Sequence, residues 1–281
     1  MNILYCGDEN IIDGLLISIT SLLKNNNDIL NIYVLTINIK NEKYNITGIS
    51  DAEIGFLDKK VKQKNIKNFV KKIDITEIFK DEIPEKNMST RFTPCCMLRL
   101  YADKIEELPN KILYLDNDVI ARQDISELYN QNIDNYEIAG VLDFYGKWFF
   151  KNNIFKFDYI NSGVLLLNLE KIKQTKLFEK CRKKCREEQI FMPDQSSINK
   201  LATSKKILNR KFNEQRKLQN ETVLQHFTIS FRLLPWFHSL TVKPWQIDKV
   251  HTQLKIFEYD DIFNEYLTDI KNIKEYREVL L

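Results

Sequence analysis

The chain has 281 residues, with 42 Lys and Arg against 39 Asp and Glu and a formal net charge of +3. That near-balance excludes a continuous basic nucleic-acid track and an acidic disordered tail. At 43% hydrophobic and 11% aromatic, with only 7 Gly and 6 Pro, the chain can bury a sizeable core in one large domain or two small ones, and it is neither collagen-like nor linker-rich.

The N-terminus lacks a basic region, and Asp8 and Glu9 end its apolar run too early for a signal peptide. No stretch reaches the roughly 18 apolar residues that span a bilayer; the nearest, Leu15 to Leu23, is interrupted by Ser18, Thr20 and Ser21. The expectation is a soluble, cytoplasmic protein that could work at the inner face of the membrane. Ile3 to Cys6 reads as a strand. Asn10 to Lys24 reads as a helix, with Ile11, Leu15, Leu16, Ile19, Leu22 and Leu23 on one stripe, and Ile32 to Ile37 reads as the next strand. Ser50 is placed to cap a helix running to about Asn65, and Phe69 to Ile75 has strand composition. Thr93-Pro94 predicts the start of a helix carrying Met97 to Tyr101.

Lys111 to Leu115 is a buried-type strand that runs into Asp116-Asn117-Asp118. Ile138 to Leu142 is another, ending at Asp143, and Gly163 to Leu169 a third, preceded by Asn161-Ser162. One charged helix is expected over Glu170 to Glu188, another from Pro193-Asp194, a late strand over Val223 to Phe227, and a final helix over Tyr259 to Leu281. Strands alternating with helices predict an α/β domain with a mainly parallel central sheet flanked by helices. The five cysteines, Cys6, Cys95, Cys96, Cys181 and Cys185, are odd in number and suit a reduced chain. A metal pair at Cys181 and Cys185 lacks a second half.

Ligands of open α/β sheets bind outside the carboxyl ends of the strands, so Asp8, Asp116, Asp118 and Asp143 should face one crevice. Asp116 and Asp118 can both reach a single hard cation such as magnesium or manganese, and His226 is a candidate third ligand favouring manganese. Taken singly, each has a plainer reading. The acidic pair could be a solvated turn or a helix cap, His226 a satisfied core histidine, and Arg99 a snorkelling or ion-paired side chain.

Tyr114-Leu115-Asp116-Asn117-Asp118-Val119 resembles the D-x-D motif of the retaining glycosyltransferases of family 8, among them bacterial lipopolysaccharide galactosyl- and glucosyltransferases and glycogenin. Ile3 to Asn10 is similar to that family's opening strand and uridine loop, and Arg99-Leu100 to its helix arginine. Asn161 to Leu169 resembles its sugar-site strand, Pro193-Asp194-Gln195 its D-Q pair, Lys211-Phe212-Asn213 its F-N element, His226-Phe227 its histidine ligand and Lys243-Pro244-Trp245 its K-P-W. These elements follow family order from about Ile3 to Trp245.

The resemblance implies a GT-A type domain over 1–245 and a C-terminal helical extension over 246–281. It implies a UDP-sugar donor carrying glucose or galactose, a glycan or lipid-linked acceptor such as a cell-surface polysaccharide or lipopolysaccharide, and no nucleic acid. It implies Mn2+, or Mg2+, on Asp116, Asp118 and His226. Cys6, Asp8 and Asn10 would meet the nucleoside. Arg99 and Lys243 would lie by the diphosphate or the donor sugar, Asp143, Asn161, Ser162, Asp194 and Gln195 by the sugar, and Asn117 would be a further substrate-binding residue. Asp194 and Gln195 would then be nearest the reacting face. Gln195 is a poor nucleophile, so front-face transfer assisted by a UDP oxygen is favoured over a covalent intermediate on Asp194. A metal-dependent nucleotidyltransferase is the alternative, although Gly7 is the only glycine near the first strand end; a non-catalytic nucleotide-sugar binder is the other. The chain departs from the family in two places. No glycine lies between His226 and Lys243, which stand 17 positions apart, and Cys95, Cys96 and Met97 replace positions that are often aromatic or threonine. The segment Thr228 to Thr241 is expected to form an active-site flap or an acceptor contact, and its Phe231, Trp236 and Phe237 could touch lipid. Oligomeric state is left open.

Overall fold

The computed structural model describes residues 1–88, 94–144, 158–232 and 238–280, without the side chains of 230–232, 238–239 and 274–280. Thr93, Trp236 and Phe237, and the side chain of Phe231, therefore lie outside the described residues. Thirteen strands are described: β1 (Asn2–Cys6), β2 (Asn31–Thr36), β3 (Ile39–Lys40), β4 (Asn45–Ile46), β5 (Phe69–Asp74), β6 (Lys111–Leu115), β7 (Val119–Ala121), β8 (Ile138–Leu142), β9 (Ile160–Asn168), β10 (Lys205–Ile207), β11 (Leu224–His226), β12 (Ser230–Arg232) and β13 (His238–Leu240). Seven build one sheet in the order β10-β8-β9-β6-β1-β2-β5. All its neighbours pair in parallel except β9, which is antiparallel to β6 and β8. The chain leaves β1 towards β2 and β5 on one side and towards β6 on the other. The order of strands therefore reverses between β1 and β6, where such sheets open a ligand crevice.

Period-two alternation fixes which face each strand residue serves. Ile3, Tyr5, Leu113, Leu115, Val164 and Leu166 join one core layer, while Leu4, Ile112, Tyr114, Leu165 and Leu167 join the other. The first layer packs under α1 (Ile12–Asn25) and α2 (Asp51–Lys64); Ser50 caps α2 as expected, in a reciprocal capping box with Glu53. The C-terminal helix Asp260–Leu280 lies against α1 and α2, tied by Tyr266 Oη donating to Asp13 Oδ1 (2.8 Å) and by Lys60 pairing with Asp269 (2.7 Å). Buried between sheet and helix, α1 is apolar well beyond its stripe, and its Ser18 shares a 2.8 Å hydrogen bond with Tyr5 Oη.

Three expectations change. The segment after Pro94 is an eleven-residue 3-10 run, Pro94–Lys104, in which Cys95 and Met97 to Ala102 are buried. Packing on nearly every side sets its winding, because isolated 3-10 runs rarely exceed three or four residues. The charged helix is two helices, Leu169–Thr175 and Leu177–Glu187, broken at Lys176, whose φ of 57° is left-handed. The third core strand starts at Ile160, so Asn161, Ser162 and Gly163 lie within β9 rather than before it. Because β9 runs backwards, its first residues sit at the carboxyl ends of β6 and β8, with Leu115 opposite Val164 and Leu142 opposite Ile160.

Candidate active site

Backbone pairing brings the three proposed metal ligands together. Asp116 follows β6 and Asp118 precedes β7. Strand β11 pairs antiparallel with β7, placing His226 opposite Val119. His226 Nε2 is 3.2 Å from Asp118 Oδ1 and 3.7 Å from Asp116 Oδ2. One ligand atom from each of the three residues lies within 4.8 Å of the others; among the described residues this is the one group of three or more such side chains. Gly163 makes room for it: a Cβ there would stand 2.2 Å from His226 Cε1 and 2.9 Å from Asp116 Oδ2. Gly14 of α1 does the same for the Asp116–Asp118 turn, since a Cβ would meet the Asn117 carbonyl oxygen at 2.5 Å.

The remaining atoms of these side chains are already held. Asp116 Oδ1 accepts from Arg99 Nη2 (2.8 Å) and Tyr114 Oη (2.6 Å), which leaves Oδ2 towards His226. Asp118 Oδ2 is paired with Lys243 Nζ. Asn213 donates its amide to Asn161 Oδ1 (3.0 Å), so its own oxygen faces His226 Nδ1 at 3.3 Å. That pattern places the proton on Nδ1 and the Nε2 lone pair towards the carboxylates. Asp118 is 4% exposed, yet its Oδ1 has no hydrogen-bond partner. Burial would push its carboxyl up, but the Lys243 ammonium paired with Oδ2 outweighs that and holds it well below the ordinary carboxylate range. An unsatisfied buried carboxylate oxygen beside an imidazole lone pair and a second carboxylate oxygen fits a divalent cation with mixed O and N ligands, as manganese accepts.

Next to this cluster lies a closed polar net. Asp143 Oδ2 accepts from Asn161 Nδ2 (3.0 Å) and Gln195 Nε2 (3.1 Å). Gln195 Oε1 accepts from the Ser162 amide (2.9 Å), and Asp194 Oδ2 from Ser162 Oγ (3.1 Å). Arg99, 3% exposed, joins net and cluster: Nη1 donates to the Ser162 carbonyl (2.5 Å), Nε lies 3.4 Å from Asp194 Oδ2, and the guanidinium stands 3.8 Å over the Tyr114 ring.

At the end of β1, Asp8 Oδ1 accepts from the backbone and side-chain nitrogens of Asn10 (2.9 and 3.2 Å), and Cys95 Sγ lies 3.9 Å from its Oδ2. Asn10 is exposed and Asp8 half-buried. No hydrogen bond described ties them to the metal cluster. The link is Cys6, whose thiol burial pushes up, in the field of Arg99, Asp116 and Asp194.

The structure thus unites Arg99, Asp116, Asp118, Asp143, Asn161, Ser162, Asp194, Gln195, His226 and Lys243 through direct contacts, with Asn117 on the connecting turn and Cys6 alongside; Asp8 and Asn10 sit apart at the strand end. Tyr114 and Asn213 were missed as site residues. Tyr114 alternates like a core position, and only the Phe212-Asn213 dipeptide hinted at the second. Cys181 and Cys185 are buried, with both thiols pushed up to about 12 by burial. The glycine-free stretch after His226 folds partly as the antiparallel pair β12–β13. Among the described residues no helix is long and apolar enough to cross a membrane.

The family described as "Glycosyl transferase family 8" matches residues 2–248. A Haemophilus influenzae protein, named provisionally as a glycosyltransferase, is 27% identical over 227 residues, which cover 76% of this chain and 63% of that protein. The lipopolysaccharide 1,2-glucosyltransferase of Escherichia coli K12 is 24% identical, over 95% of this chain and 85% of its own length. The matched region is thus less than two thirds of the first of these relatives. Among solved structures, an active-site mutant of LgtC superposes with a TM-score of 0.69 at 17% identity, covering 95% of this chain and 96% of that one. The apo bifunctional glycosyltransferase WbbM superposes at 0.68 and 15% identity, covering 94% of this chain and 49% of that one. LgtC has also been solved as a galactosyltransferase with donor and acceptor sugar analogs, at a TM-score of 0.64. At these identities the structures establish the fold, which is the GT-A type expected from the sequence. With its family match running over most of its length, the chain belongs to glycosyl transferase family 8.

Proposed function

We propose that this protein transfers a hexose, glucose or galactose, from a UDP-sugar to a glycan or lipid-linked acceptor, with retention at the anomeric carbon and dependence on Mn2+. The observation that carries this reading is the convergence of Asp116 Oδ2, Asp118 Oδ1 and His226 Nε2, with each residue's other polar atom already pinned. A bound Mn2+ would offset diphosphate charge and stabilise departing UDP as a Lewis acid.

The chain's own residues do the rest. Arg99 and Lys243 hold fixed positive charge beside the donor phosphates. Asp8 and Asn10 take the nucleoside, where a carboxylate accepting the uracil imide N–H selects uridine. Asp143, Asn161, Ser162, Asp194 and Gln195 bind sugar hydroxyls and hold the anomeric carbon. Gln195's amide is committed at both ends, its oxygen to Ser162 and its nitrogen to Asp143, and Asp194 Oδ2 is taken by Ser162 Oγ. A neutral amide held at both ends is a poor nucleophile, which supports front-face transfer, the acceptor entering on the side UDP leaves. The GT-A domain is assigned to 1–245 and residues 246–281 to a helical extension braced on α1 and α2.

Incubation with Mn2+ and UDP-glucose or UDP-galactose should release UDP, and EDTA should stop it. Absence of UDP release from every UDP-sugar, with and without acceptors, would refute the proposal. Anomeric configuration of the product by NMR tests retention, and a glycosyl ester trapped on Asp194 would overturn the front-face route.

A further inference from the structure

Strand β11 is only three residues long and belongs to a two-stranded sheet, yet it carries one of the three converging side chains. Backbone bonds hold both of its edges. On one side it pairs with β7; on the other, the Glu214 carbonyl accepts from the His226 amide (2.9 Å). Such bonds fix a strand within its sheet. Its height above or below that sheet is set by side-chain packing, and alternation turns Gln225 and Phe227 to the face opposite His226.

Tyr259 meets both of these neighbours. Its Oη donates to Gln225 Oε1 (2.7 Å), and its ring stands edge-on to that of Phe227, with centroids 6.2 Å apart at 61°. All three residues are buried, so no bulk water replaces the phenol if it is removed. Tyr259 directly precedes the C-terminal helix, and its carbonyl accepts from the Phe263 amide (2.8 Å). That helix is fixed in turn on α1 and α2 through Tyr266 and Lys60. A continuous packed path therefore joins α1 and α2 to the two residues that flank His226. Little play is tolerable at its end, where His226 Nε2 stands 3.2 and 3.7 Å from the carboxylate oxygens with which it must share one point.

Resting on the metal-dependent transferase reading above, we propose that Tyr259 is a positioning residue for the metal ligand His226. It contributes no ligand atom and acts through Gln225 and Phe227. The segment after Trp245 is thereby part of the working site rather than an appendage to it.

The test follows Mn2+ affinity of the full chain by electron paramagnetic resonance, with the thermal midpoint and the coupling of the His226 nitrogen to bound Mn2+ read alongside. Tyr259→Phe should weaken Mn2+ about three- to tenfold, less than the usual 10–100-fold for a partner bonded directly to a ligand, and should alter the nitrogen coupling. The double variant Tyr259→Phe/Gln225→Met removes donor and acceptor together. Its thermal midpoint should largely recover, while Mn2+ binding stays as weak as in Tyr259→Phe. Ile273→Ala, at a buried position further along the same helix, should lower the midpoint and leave Mn2+ affinity unchanged. Wild-type Mn2+ affinity in Tyr259→Phe overturns the proposal, and so does affinity that recovers with the midpoint in the double variant. Loss of Mn2+ affinity by Ile273→Ala in step with its midpoint also overturns it, because any loss of stability would then act alike. UDP release by the wild-type protein is read separately. A failed transferase reading appears as Mn2+ binding without turnover, and a failed role for Tyr259 as unchanged affinity in its variant.

Discussion

Two buried ionic clusters in this molecule look alike in composition and differ in completeness. Arg182, 3% exposed, joins Glu82 (2.5 Å), Asp103 (2.5 Å) and the Leu100 carbonyl, linking helix Leu177–Glu187 to the Pro94–Lys104 run. None of the buried side-chain polar atoms in that cluster lacks a partner. Asp116, Asp118 and His226 are held as firmly from outside, yet Asp118 Oδ1 is left unsatisfied at the centre. A closed ionic cluster ties elements together. An open one, with carboxylate oxygens and an imidazole lone pair aimed at one point, is a fold arranged around something else.

The largest test of that contrast is Asp118→Asn. Loss of one converging oxygen should abolish Mn2+ binding, followed by electron paramagnetic resonance, and lower UDP release on the order of 10^3-fold. Unchanged Mn2+ affinity would move the metal elsewhere. Arg182→Met should do the reverse. Glu82 keeps Lys104 and Arg186, but half-buried Asp103 and the Leu100 carbonyl lose their donor, which should cost about 1–3 kcal/mol of stability in urea unfolding, while the folded variant keeps wild-type Mn2+ affinity. A smaller effect is expected of Asn213→Ala, which frees the His226 tautomer and should weaken Mn2+ about 10–100-fold, the usual range for a partner behind a ligand. An Asn213→Ala protein that binds metal normally would show that Asn213 does not set the imidazole.

The sequence made the open cluster easier to read than the closed one. Asp116 and Asp118 break out of the apolar run Ile112 to Leu115, and Asp143 ends the run at Leu142, so alternation and strand ends pointed to them. Arg182 sat in a stretch dense with Lys and Glu, where nothing local separates a solvated charge from one that tertiary packing buries beside Tyr101. The same limit hid Tyr114 and Asn213, whose roles exist only through partners far along the chain. The 3-10 winding after Pro94 and the break at Lys176 were illegible for a related reason. The first is set by the packing around a buried segment, and the second falls at an exposed lysine, without the glycine that would have announced the break.

The smallest expected effect separates the clusters by pH. Burial alone would raise the Glu82 carboxyl, but Lys104 and Arg182 outweigh it and hold the folded value below the ordinary 4.5. Such a group adds stability above pH 4.5 that is lost as pH falls through its lower folded value. Asp103 has the opposite sign, because burial outweighs Arg182 and raises it. Its protonated form favours the fold below its unfolded value, and that contribution is lost as pH rises through the folded one. The cations facing Glu82, namely Arg182, Arg186 and Lys104, stay charged throughout. Glu82→Gln should therefore flatten the decline of the urea midpoint below pH 4.5, while Asp103→Asn, which removes a contribution of opposite sign, should steepen the acid decline. Equal slopes for Glu82→Gln and the wild type would mean that Glu82 holds no more charge preference folded than unfolded. The closed cluster would then be a matter of geometry rather than of ionisation.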